Sequence, residues 1–572
     1  MKTKFLLILS CIFLWSCGTT PSQRTTFQDL IAAYENFEAY DPDQFPLGDF
    51  SEARFERENK FWKELQEKIN QLDTVGFPKT DRISYEILQF ELKNRLADFA
   101  FKTHWNPILS DAGFHNSLVY RVQSLSDPEA AEKYLDLLNA IPQFVEQNIV
   151  LLRKGLKAKI AQPLVIFKGY ESTYNRHIDV EVEDHFYYQP FLSLPSSIAK
   201  EKQDALKGRA KRIISEKVIP SFKEIKRFFE EEYYAQTRQE IGVSSTPNGA
   251  AYYQNRIDYY TTLDLTAEKI HALGLQEVAT IREAMEEIIT AVGFEGSFAD
   301  FLVFLRTDPQ FYAQTPEELL MRARAIAKRL DEQLPRFFKT LPRTPYGVAP
   351  VPEAIAPKYT GGRYIPTQQG STQPGYYWVN TYNLPSRPLY VLPALTAHEA
   401  VPGHHLQMAL NAELPETIPS FRRNLYLSAY GEGWGLYTEA LADEMGIYTT
   451  PYERFGQLTY TMWRACRLVV DTGIHAFGWS REKAVNYMAE NTALSLHEIN
   501  TEVDRYISWP GQALSYKIGE LKIRELRTKA ENALGEAFDI RAFHDLILKE
   551  GTVTLPIMER EVDLFIKQQK RE

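Results

Sequence analysis

The chain has 572 residues, of which 44% are hydrophobic and 24% are charged, and its formal net charge is -10. A chain of this length buries at least one large core and has room for about two to four domains. The acidic balance argues against nucleic acid as a main partner, because phosphate binding needs a basic surface. Only three cysteines occur, Cys11, Cys17 and Cys466. Two of them lie in the first twenty residues, so the body of the chain has no internal disulfide.

The first seventeen residues predict an export signal. Two lysines precede an apolar run at residues 5–15, which is shorter than the about 20 residues of a membrane-spanning helix. The Leu-Trp-Ser-Cys sequence at residues 14–17 resembles a bacterial lipobox, which is cleaved before a cysteine that is then acylated. The alternative is an ordinary signal peptide with an incidental cysteine. We expect an exported protein that is lipid-anchored through Cys17, at the outer membrane facing the periplasm or at the cell surface.

Helical patterns dominate from about residue 26 to residue 340. Ser or Thr caps predict helix starts at Thr266, Ser297 and Thr315, and residues 243–250 are typical of a loop. Apolar residues with helical spacing are Leu65, Ile69 and Leu72, followed by Tyr134, Leu137, Leu138 and Ile141. These patterns predict that residues 18–340 form a helical N-terminal half.

The composition changes near residue 341. From residue 342 to 393 the chain is rich in Pro, Gly, Tyr and Thr, and residues 361–364 and 374–381 have the pattern of short strands between turns. Helical patterns return at Leu395. We therefore predict a mainly α protein in which residues 341–572 form a second half that opens with a small β-sheet.

Three histidines and a glutamate crowd into the first helix after the predicted sheet. The sequence at residues 397–405 is Ala-His-Glu-Ala-Val-Pro-Gly-His-His. Zinc is well served by imidazole and carboxylate ligands, and a catalytic zinc usually keeps three protein ligands and a water whose pKa falls to about 7. A neighbouring carboxylate can take the proton of that water. The cluster favours a zinc site for hydrolysis and makes residues 341–572 the candidate catalytic half.

The spacing of this cluster departs from the helical HExxH pattern, in which two histidines four positions apart share one helix face. Removing Pro402 and Gly403 would restore that spacing, so we expect a bulge or kink that brings His398 and His404 together, with Glu399 as general base. His405 then supports the ligands. The rival assignment makes His405 the ligand, although seven residues on an unbroken helix span about 10 Å. A solvated histidine pair after a kink is the third possibility.

A third ligand is expected in the glycine-rich sequence that follows. Glu432 lies between two glycines, which allow close approach of a neighbouring helix. Glu439 follows seven residues later on the same helical face. We expect Glu432 to bind the metal and Glu439 to orient an imidazole. By contrast, the pair His497-Glu498 has no second histidine nearby, and we interpret it as structural.

Two residues further along are candidates to stabilise a developing oxyanion, Tyr516 and His475. Tyrosine and histidine also pack and pair in helical interiors, so a structural role is an equal alternative for each. Cys466 is expected to be buried and unreactive, since nothing marks it as activated. The sequence contains no Gly-x-Ser-x-Gly run, which disfavours a serine hydrolase of that type.

These motifs together resemble a bacterial family of predicted lipoproteins catalogued as a domain of unknown function. The motifs are HEAVPGHHLQ at 398–407, YGEGWGLYTE at 430–439, ERFGQLTYTMWRACRLVVDTGIH at 453–475, ENTALS at 490–495 and RYISWPGQALSYKIGELKIRELR at 505–527. The resemblance implies a fold similar to the mostly helical gluzincin metallopeptidases, with His, His and Glu as metal ligands. It thereby implies His398, Glu432 and one of His404 and His405 as ligands, and Glu399 as base. In gluzincins an edge strand binds extended peptide, and residues 376–381 are the implied counterpart.

The hypothesis from the sequence is a zinc peptidase that acts on short peptides in a cleft between the two halves. A metal-dependent amidase or esterase acting on non-peptide substrates is the alternative within hydrolases. The other alternative is a non-catalytic, lipid-anchored binding protein. Glu399 argues against a purely structural metal, which needs no base and is more often closed by Cys and His ligands.

Overall fold

The computed structural model describes residues 22–122, 124–353, 355–367 and 373–571. The lipobox and the signal, with Cys11 and Cys17, lie outside these ranges. The described part is mainly helical, with 68% of residues in helices. Its α-helices are α1 (Gln23–Glu35), α2 (Glu52–Asn70), α3 (Lys79–Ala100), α4 (Pro128–Lys157), α5 (Ser172–Asn175), α6 (Gln189–Leu192), α7 (Lys200–Ile213), α8 (Ile219–Arg227), α9 (Tyr234–Gln236), α10 (Gly249–Thr261), α11 (Ala267–Ala291), α12 (Phe298–Thr307), α13 (Pro316–Phe337), α14 (Leu392–Glu399), α15 (His404–Ala412), α16 (Ser420–Arg423), α17 (Ser428–Glu444), α18 (Pro451–His475), α19 (Arg481–Asn491), α20 (Leu496–Ser508), α21 (Ser515–Leu534), α22 (Ile540–Leu548) and α23 (Leu555–Gln569).

A three-stranded mixed sheet precedes α14. Its strands are β1 (Tyr346–Pro350), β2 (Gly362–Ile365) and β3 (Gly375–Val379). Their order is β1-β3-β2, with β1 parallel and β2 antiparallel to β3. The predicted small sheet is therefore present, before the helix that carries His398 and Glu399. The expectation that residues 376–381 form an edge strand is wrong, because β3 is paired on both sides; β2 is the edge strand on the side of α14.

The predicted helix starts are confirmed. Thr266, Ser297 and Thr315 each accept a hydrogen bond from a backbone N–H in the first turn of α11, α12 and α13. These caps satisfy N–H groups that have no partner inside the helix. The predicted loop at residues 243–250 is shorter than expected, because α10 already begins at Gly249.

One large hydrophobic core runs through both halves of the chain. Its buried residues extend from Leu47 to Ile566 and so come from both sides of position 341. Helix α18 lies at the centre of the fold: every residue from Thr459 to His475 is buried. A smaller core joins α1, α2 and α3 around Phe27. The site described below is built against α18, where main-chain positions are held by packing on several sides.

Two glycines bring α17 and α21 into backbone contact. A Cβ atom added to Gly433 would lie 2.6 Å from the Cα of Gly519, and one added to Gly519 would lie 1.9 Å from the carbonyl oxygen of Ala429. Any larger side chain would push the helices apart. Within the described ranges, none of the helices combines the length and the apolar character needed to cross a bilayer.

Candidate metal centre

The helix that carries the histidine cluster is interrupted. Helix α14 ends at Glu399 and α15 begins at His404, with four residues between them. The link folds back tightly, since a Cβ added to Gly403 would meet the carbonyl oxygens of His398 and Ala397 at 1.9 and 2.4 Å. Only glycine permits that approach. The interruption predicted from Pro402 and Gly403 is therefore present, and it places the start of α15 against the end of α14.

The fold-back brings two imidazoles to one carboxylate. Nε2 of His398 lies 3.5 Å from Oε2 of Glu432, and Nε2 of His404 lies 3.4 Å from the same oxygen. One donor atom from each of the three residues lies within 4.8 Å of the others, which makes the group a possible metal site. All three side chains are largely buried. We call His398, His404 and Glu432 the triad.

The donor spacing of the triad fits a zinc ion. Zinc binds imidazole nitrogen at about 2.0–2.1 Å and carboxylate oxygen at about 2.0–2.2 Å, so two ligands of a tetrahedral ion lie about 3.4 Å apart. The two measured nitrogen–oxygen distances are 3.5 and 3.4 Å. Two neutral nitrogens and one carboxylate are also the donor types of a catalytic zinc site. The donor types and these two distances thus fit ligands of one ion, and all three donor atoms lie within 4.8 Å of one another.

The other ring nitrogen of His398 is held by a second carboxylate. Nδ1 of His398 lies 2.8 Å from Oε1 of Glu439, a fully buried carboxylate that also lies 3.5 Å from the guanidinium of Arg464. Such a partner fixes the proton on Nδ1 and directs Nε2 toward the metal position. Burial alone opposes a charged imidazole, but the hydrogen bonds to Glu432 and Glu439 outweigh it and raise the pKa of His398 to about 10.

The carboxylate of Glu432 responds in the opposite direction. Burial favours its neutral form, but its hydrogen bonds with the two histidines dominate and hold its pKa well below the usual range. A carboxylate that stays ionised beside two imidazoles is suited to hold a cation. The two glycines that flank Glu432 lie in close contacts: a Cβ on Gly431 would lie 2.4 Å from the Tyr426 ring, and one on Gly433 would lie 2.6 Å from the Cα of Gly519. The expectation of close approach at these glycines is met.

Glu399 lies at the end of α14 and is tied to the sheet. Its Oε2 accepts a hydrogen bond of 2.8 Å from the backbone N–H of Tyr364 in β2. The side chain is 9% exposed. The edge strand and the helix end thus fix the orientation of this carboxylate beside the triad.

His405 points away from the triad. Its Nδ1 lies 2.9 Å from the hydroxyl of Tyr364, and its ring packs on Tyr346 with centroids 4.5 Å apart. Burial lowers the pKa of His405 to about 4, so the ring is neutral. The structure places His404, rather than His405, beside His398 and Glu432.

The two oxyanion candidates have different surroundings. Tyr516 is 9% exposed and its ring lies over the guanidinium of Arg467 at 4.3 Å, with that of Arg464 at 6.0 Å. Arg464 contacts Glu439, so Tyr516 lies on the side of the centre that faces α18. It remains a candidate.

His475 is placed differently, and the assignment of an oxyanion role to it needs correction. It lies eleven residues beyond Arg464 on α18, about 16 Å along the helix. Its Nδ1 accepts a hydrogen bond from the N–H of Val243, and its Nε2 donates to the carbonyl of Tyr506. Both nitrogens are used by the backbone, and burial lowers the pKa of His475 to about 3. A ring with no free nitrogen cannot donate to a substrate.

The structure adds a tyrosine that the sequence analysis did not select. Tyr426 precedes α17, its hydroxyl lies near the carboxylate of Glu432, and its ring packs over Gly431. The side chain is 38% exposed. Its position in a loop, with no regular spacing to the histidines, gave no signal in the sequence. Cys466, as expected, is free and fully buried, and burial raises the pKa of its thiol well above the usual range.

Comparisons with known proteins give a family and two similar folds. The sequence profile of the family described as "Bacterial protein of unknown function (DUF885)" matches residues 38–562. A putative lipoprotein from Colwellia psychrerythraea is 27% identical, with a TM-score of 0.85, over 95% of this chain and 100% of that chain. A putative lipoprotein of unknown function from Shewanella oneidensis shares the fold alone, at 17% identity and a TM-score of 0.67, over 95% and 99% of the two chains. A comparison with curated proteins gives no significant match.

Proposed function

The chain belongs to the DUF885 family of bacterial proteins of unknown function, and we propose on the basis of its metal centre that it is a zinc-dependent hydrolase that cleaves peptide bonds. The observation that carries this proposal is the convergence of the triad, in which both imidazole nitrogens lie about one zinc ligand–ligand distance from Oε2 of Glu432. Three protein ligands are the usual number for a catalytic zinc, whereas structural sites are usually closed by four.

Glu399 is the proposed general base. A bound zinc would polarise the carbonyl of the substrate and lower the pKa of a water to about 7. In the proposal Oε1 of Glu399 takes the proton of the attacking water and later delivers it to the leaving nitrogen. The hydrogen bond from Tyr364 to Oε2 holds the carboxylate in one orientation during both transfers. Glu439 keeps His398 in the tautomer that points Nε2 at the ion.

Two tyrosines are the proposed donors to the oxyanion. Tyr426 lies near Glu432 and is partly exposed, so its hydroxyl is placed to reach a bound substrate. Tyr516 lies beside two arginines on the α18 side of the centre. Both offer an O–H donor of the kind that stabilises developing negative charge.

The proposed architecture is gluzincin-like, since the mainly helical fold, the small sheet and the His, His and Glu donors match what the sequence motifs imply. The proposed location is the outer membrane or the cell surface, through a lipid on Cys17. The lipobox at residues 14–17 supports this, as does the similarity to the protein from Colwellia psychrerythraea described as a putative lipoprotein.

The test combines metal analysis with peptide-library cleavage by the wild type and Glu399→Gln. We expect about one zinc per chain in both proteins, and turnover lower by about 10²–10⁴-fold in the variant, the usual contribution of a general base. The matched control is Glu413→Gln, a carboxylate just after α15 whose partners are the backbone and side chains of residues 343 and 344. Equal turnover in wild type and Glu399→Gln would remove Glu399 as the base. Cleavage of simple amides or esters but of no peptide would show that the substrates are non-peptide amides or esters.

A further inference from the structure

A cavity of about 650 Å³ lies between the N-terminal helices and the segment that leads into α17. Its walls come from α1 to α3, from α10 and from residues 420–426. Pockets of about 300–1,000 Å³ are typical of binding sites for small ligands. The cavity therefore has the size to accept part of a short peptide, and both halves of the chain contribute to it.

The walls of this cavity are acidic. Four carboxylates line it, those of Glu35, Glu38, Glu58 and Glu91, against the single guanidinium of Arg95 among the described lining residues. Glu58 is paired with Arg54, 2.7 Å away and outside the lining. Glu35 accepts hydrogen bonds from the hydroxyl of Ser420 and the N–H of Phe421, which are neutral donors and leave its charge in place.

Glu91 distinguishes this cavity from an ordinary acidic surface. Its side chain is 8% exposed, and its Oε1 is buried without a hydrogen-bond partner among the described residues. Burying a polar oxygen without a hydrogen-bond partner costs free energy, and a ligand that donates a hydrogen bond to this oxygen would offset the cost. Burial raises the pKa of the Glu91 carboxyl, and the nearby Arg95 only partly offsets this. A second positive charge brought into the cavity would stabilise the ionised form.

Aromatic rings complete a wall suited to cations. The guanidinium of Arg95 already lies over the rings of Trp62 and Tyr34, with its carbon 5.0 and 5.5 Å from their centroids. The lining also includes Phe37 and Tyr259. Faces of aromatic rings attract ammonium and guanidinium groups. The chain's own arginine thus occupies one part of a surface whose chemistry favours positive charge.

Tyr426 connects this cavity to the metal centre. It lines the cavity, its ring packs over Gly431, and its hydroxyl lies near the carboxylate of Glu432 in the triad. We propose that this cavity binds a positively charged group of the substrate, an ammonium or guanidinium, while the bond to be cleaved lies at the triad on the other side of Tyr426. The placement of the cleaved bond at the triad rests on the proposed function. The binding of a cation in the cavity does not depend on it.

The test measures binding without turnover, in the zinc-loaded Glu399→Gln protein. The probes are the tetrapeptide amide Ala-Lys-Ala-Phe and the same peptide acetylated on both amines, titrated by calorimetry at low salt. We expect the charged peptide to bind about tenfold more tightly, as for a charge-assisted hydrogen bond. The two singly acetylated peptides then identify which ammonium is recognised.

Three further variants in the same background test the assignment. Glu91→Gln, which keeps the shape of the side chain, should reduce the preference for the charged peptide to about twofold or less. Arg95→Gln removes the competing cation and should increase the preference by about two- to fivefold. Glu295→Gln, in the exposed turn after α11, is the control and should leave it unchanged. If Glu91→Gln does not fold, Glu38→Gln at the exposed rim replaces it, with a smaller reduction expected.

The outcomes separate the two proposals. Equal affinity for the charged and acetylated peptides, or a preference that neither Glu91→Gln nor Glu38→Gln reduces, would overturn the cation site. Charge-dependent binding together with no cleavage of any peptide by the wild type would keep the cation site and remove the peptidase proposal. Cleavage of peptides by the wild type without any charge preference in binding would keep the peptidase proposal and remove the cation site.

Discussion

The two histidines His398 and His475 are both almost completely buried, at 3% and 1% exposure, yet their surroundings favour the protonated form of one and the neutral form of the other. The ring of His398 meets two carboxylates, and its pKa is raised to about 10. The ring of His475 meets one backbone N–H and one backbone carbonyl, and burial lowers its pKa to about 3. Burial by itself lowers the pKa of both histidines. The difference lies in the partners, which are anions in one region and neutral dipoles in the other.

This difference separates a site that can hold a cation from one that only fills the core. Around His398 the carboxylates of Glu432 and Glu439 are present whether the imidazole carries a proton or faces a metal. Around His475 the neutral tautomer forms hydrogen bonds with both backbone groups, and a protonated ring would have no anion among these partners. Perturbed pKa values therefore mark functional sites only when the cause of the shift is considered together with its size.

The largest effect is expected when the neighbours His404 and His405 are each replaced by alanine. His404 shares the carboxylate of Glu432, whereas His405, like His475, has only neutral partners. We expect His404→Ala to weaken zinc binding by more than about 100-fold, since it removes a ligand rather than a supporting group. His405→Ala should keep one zinc per chain and lower the free energy of unfolding by about 1–3 kcal/mol, through the loss of a buried hydrogen bond. Chelator competition and chemical denaturation measure the two effects, and zinc loss in His405→Ala alone would reverse the assignment.

A smaller effect is expected from the carboxylate behind His398. Glu439→Gln keeps the shape and the hydrogen bond to Nδ1 but removes the charge, and zinc affinity should fall by about 10–100-fold. In the metal-free protein the pKa of His398 should fall as well, which an NMR titration of the imidazole signals would detect. The control is Glu444→Gln on the same helix, where the carboxylate pairs with Arg527 near the surface. Unchanged zinc affinity in Glu439→Gln would show that Nδ1 needs no anion.

The smallest effect concerns His475 and the dependence of stability on pH. Its folded pKa of about 3 lies below the unfolded value near 6.5, so the folded state binds fewer protons between these values. The stabilising contribution is complete above pH 6.5 and is lost as the pH falls toward 3. Denaturation at pH 7 and pH 5 should show a loss that is about 2 kcal/mol smaller in His475→Gln than in the wild type, although the variant is less stable at pH 7. Equal losses of stability in both proteins would mean that folding does not lower the pKa of His475. For His398 in the metal-free protein the sign is opposite, with stability lost as the pH rises through about 10.

Local rules account for most of what could be predicted from the sequence. Thr266, Ser297 and Thr315 cap helices because a hydroxyl three residues before a free N–H acts over a short distance. The strands β2 and β3 were located from turn residues and aromatic alternation. The strand β1 was missed, since its five residues contain Gly and Pro and are ordered by pairing with β3. Glu432 was selected because its flanking glycines indicated a crowded position.

Long-range contacts leave one assignment open and make another wrong. The sequence favours His404 over His405, and the structure places His404 beside His398 and Glu432. The choice between His404 and His405 depends on how the chain turns between α14 and α15, and four irregular residues have no pattern that fixes this turn. His475 looked polar and available, but the backbone groups that use its nitrogens include that of Val243, 232 residues away. Tyr426 is only six residues from Glu432, but it lies in irregular chain before α17, and no helical spacing links the two.

Tyr426 lines the cavity, and its hydroxyl lies near the carboxylate of Glu432. An ion at the triad and a peptide in the cavity would each change the surroundings of this one phenol. A fluorinated tyrosine introduced at this position alone would therefore carry both signals in a single ¹⁹F spectrum. Loading with zinc and titration with peptide could then be followed separately on the intact protein, before any substrate has been identified.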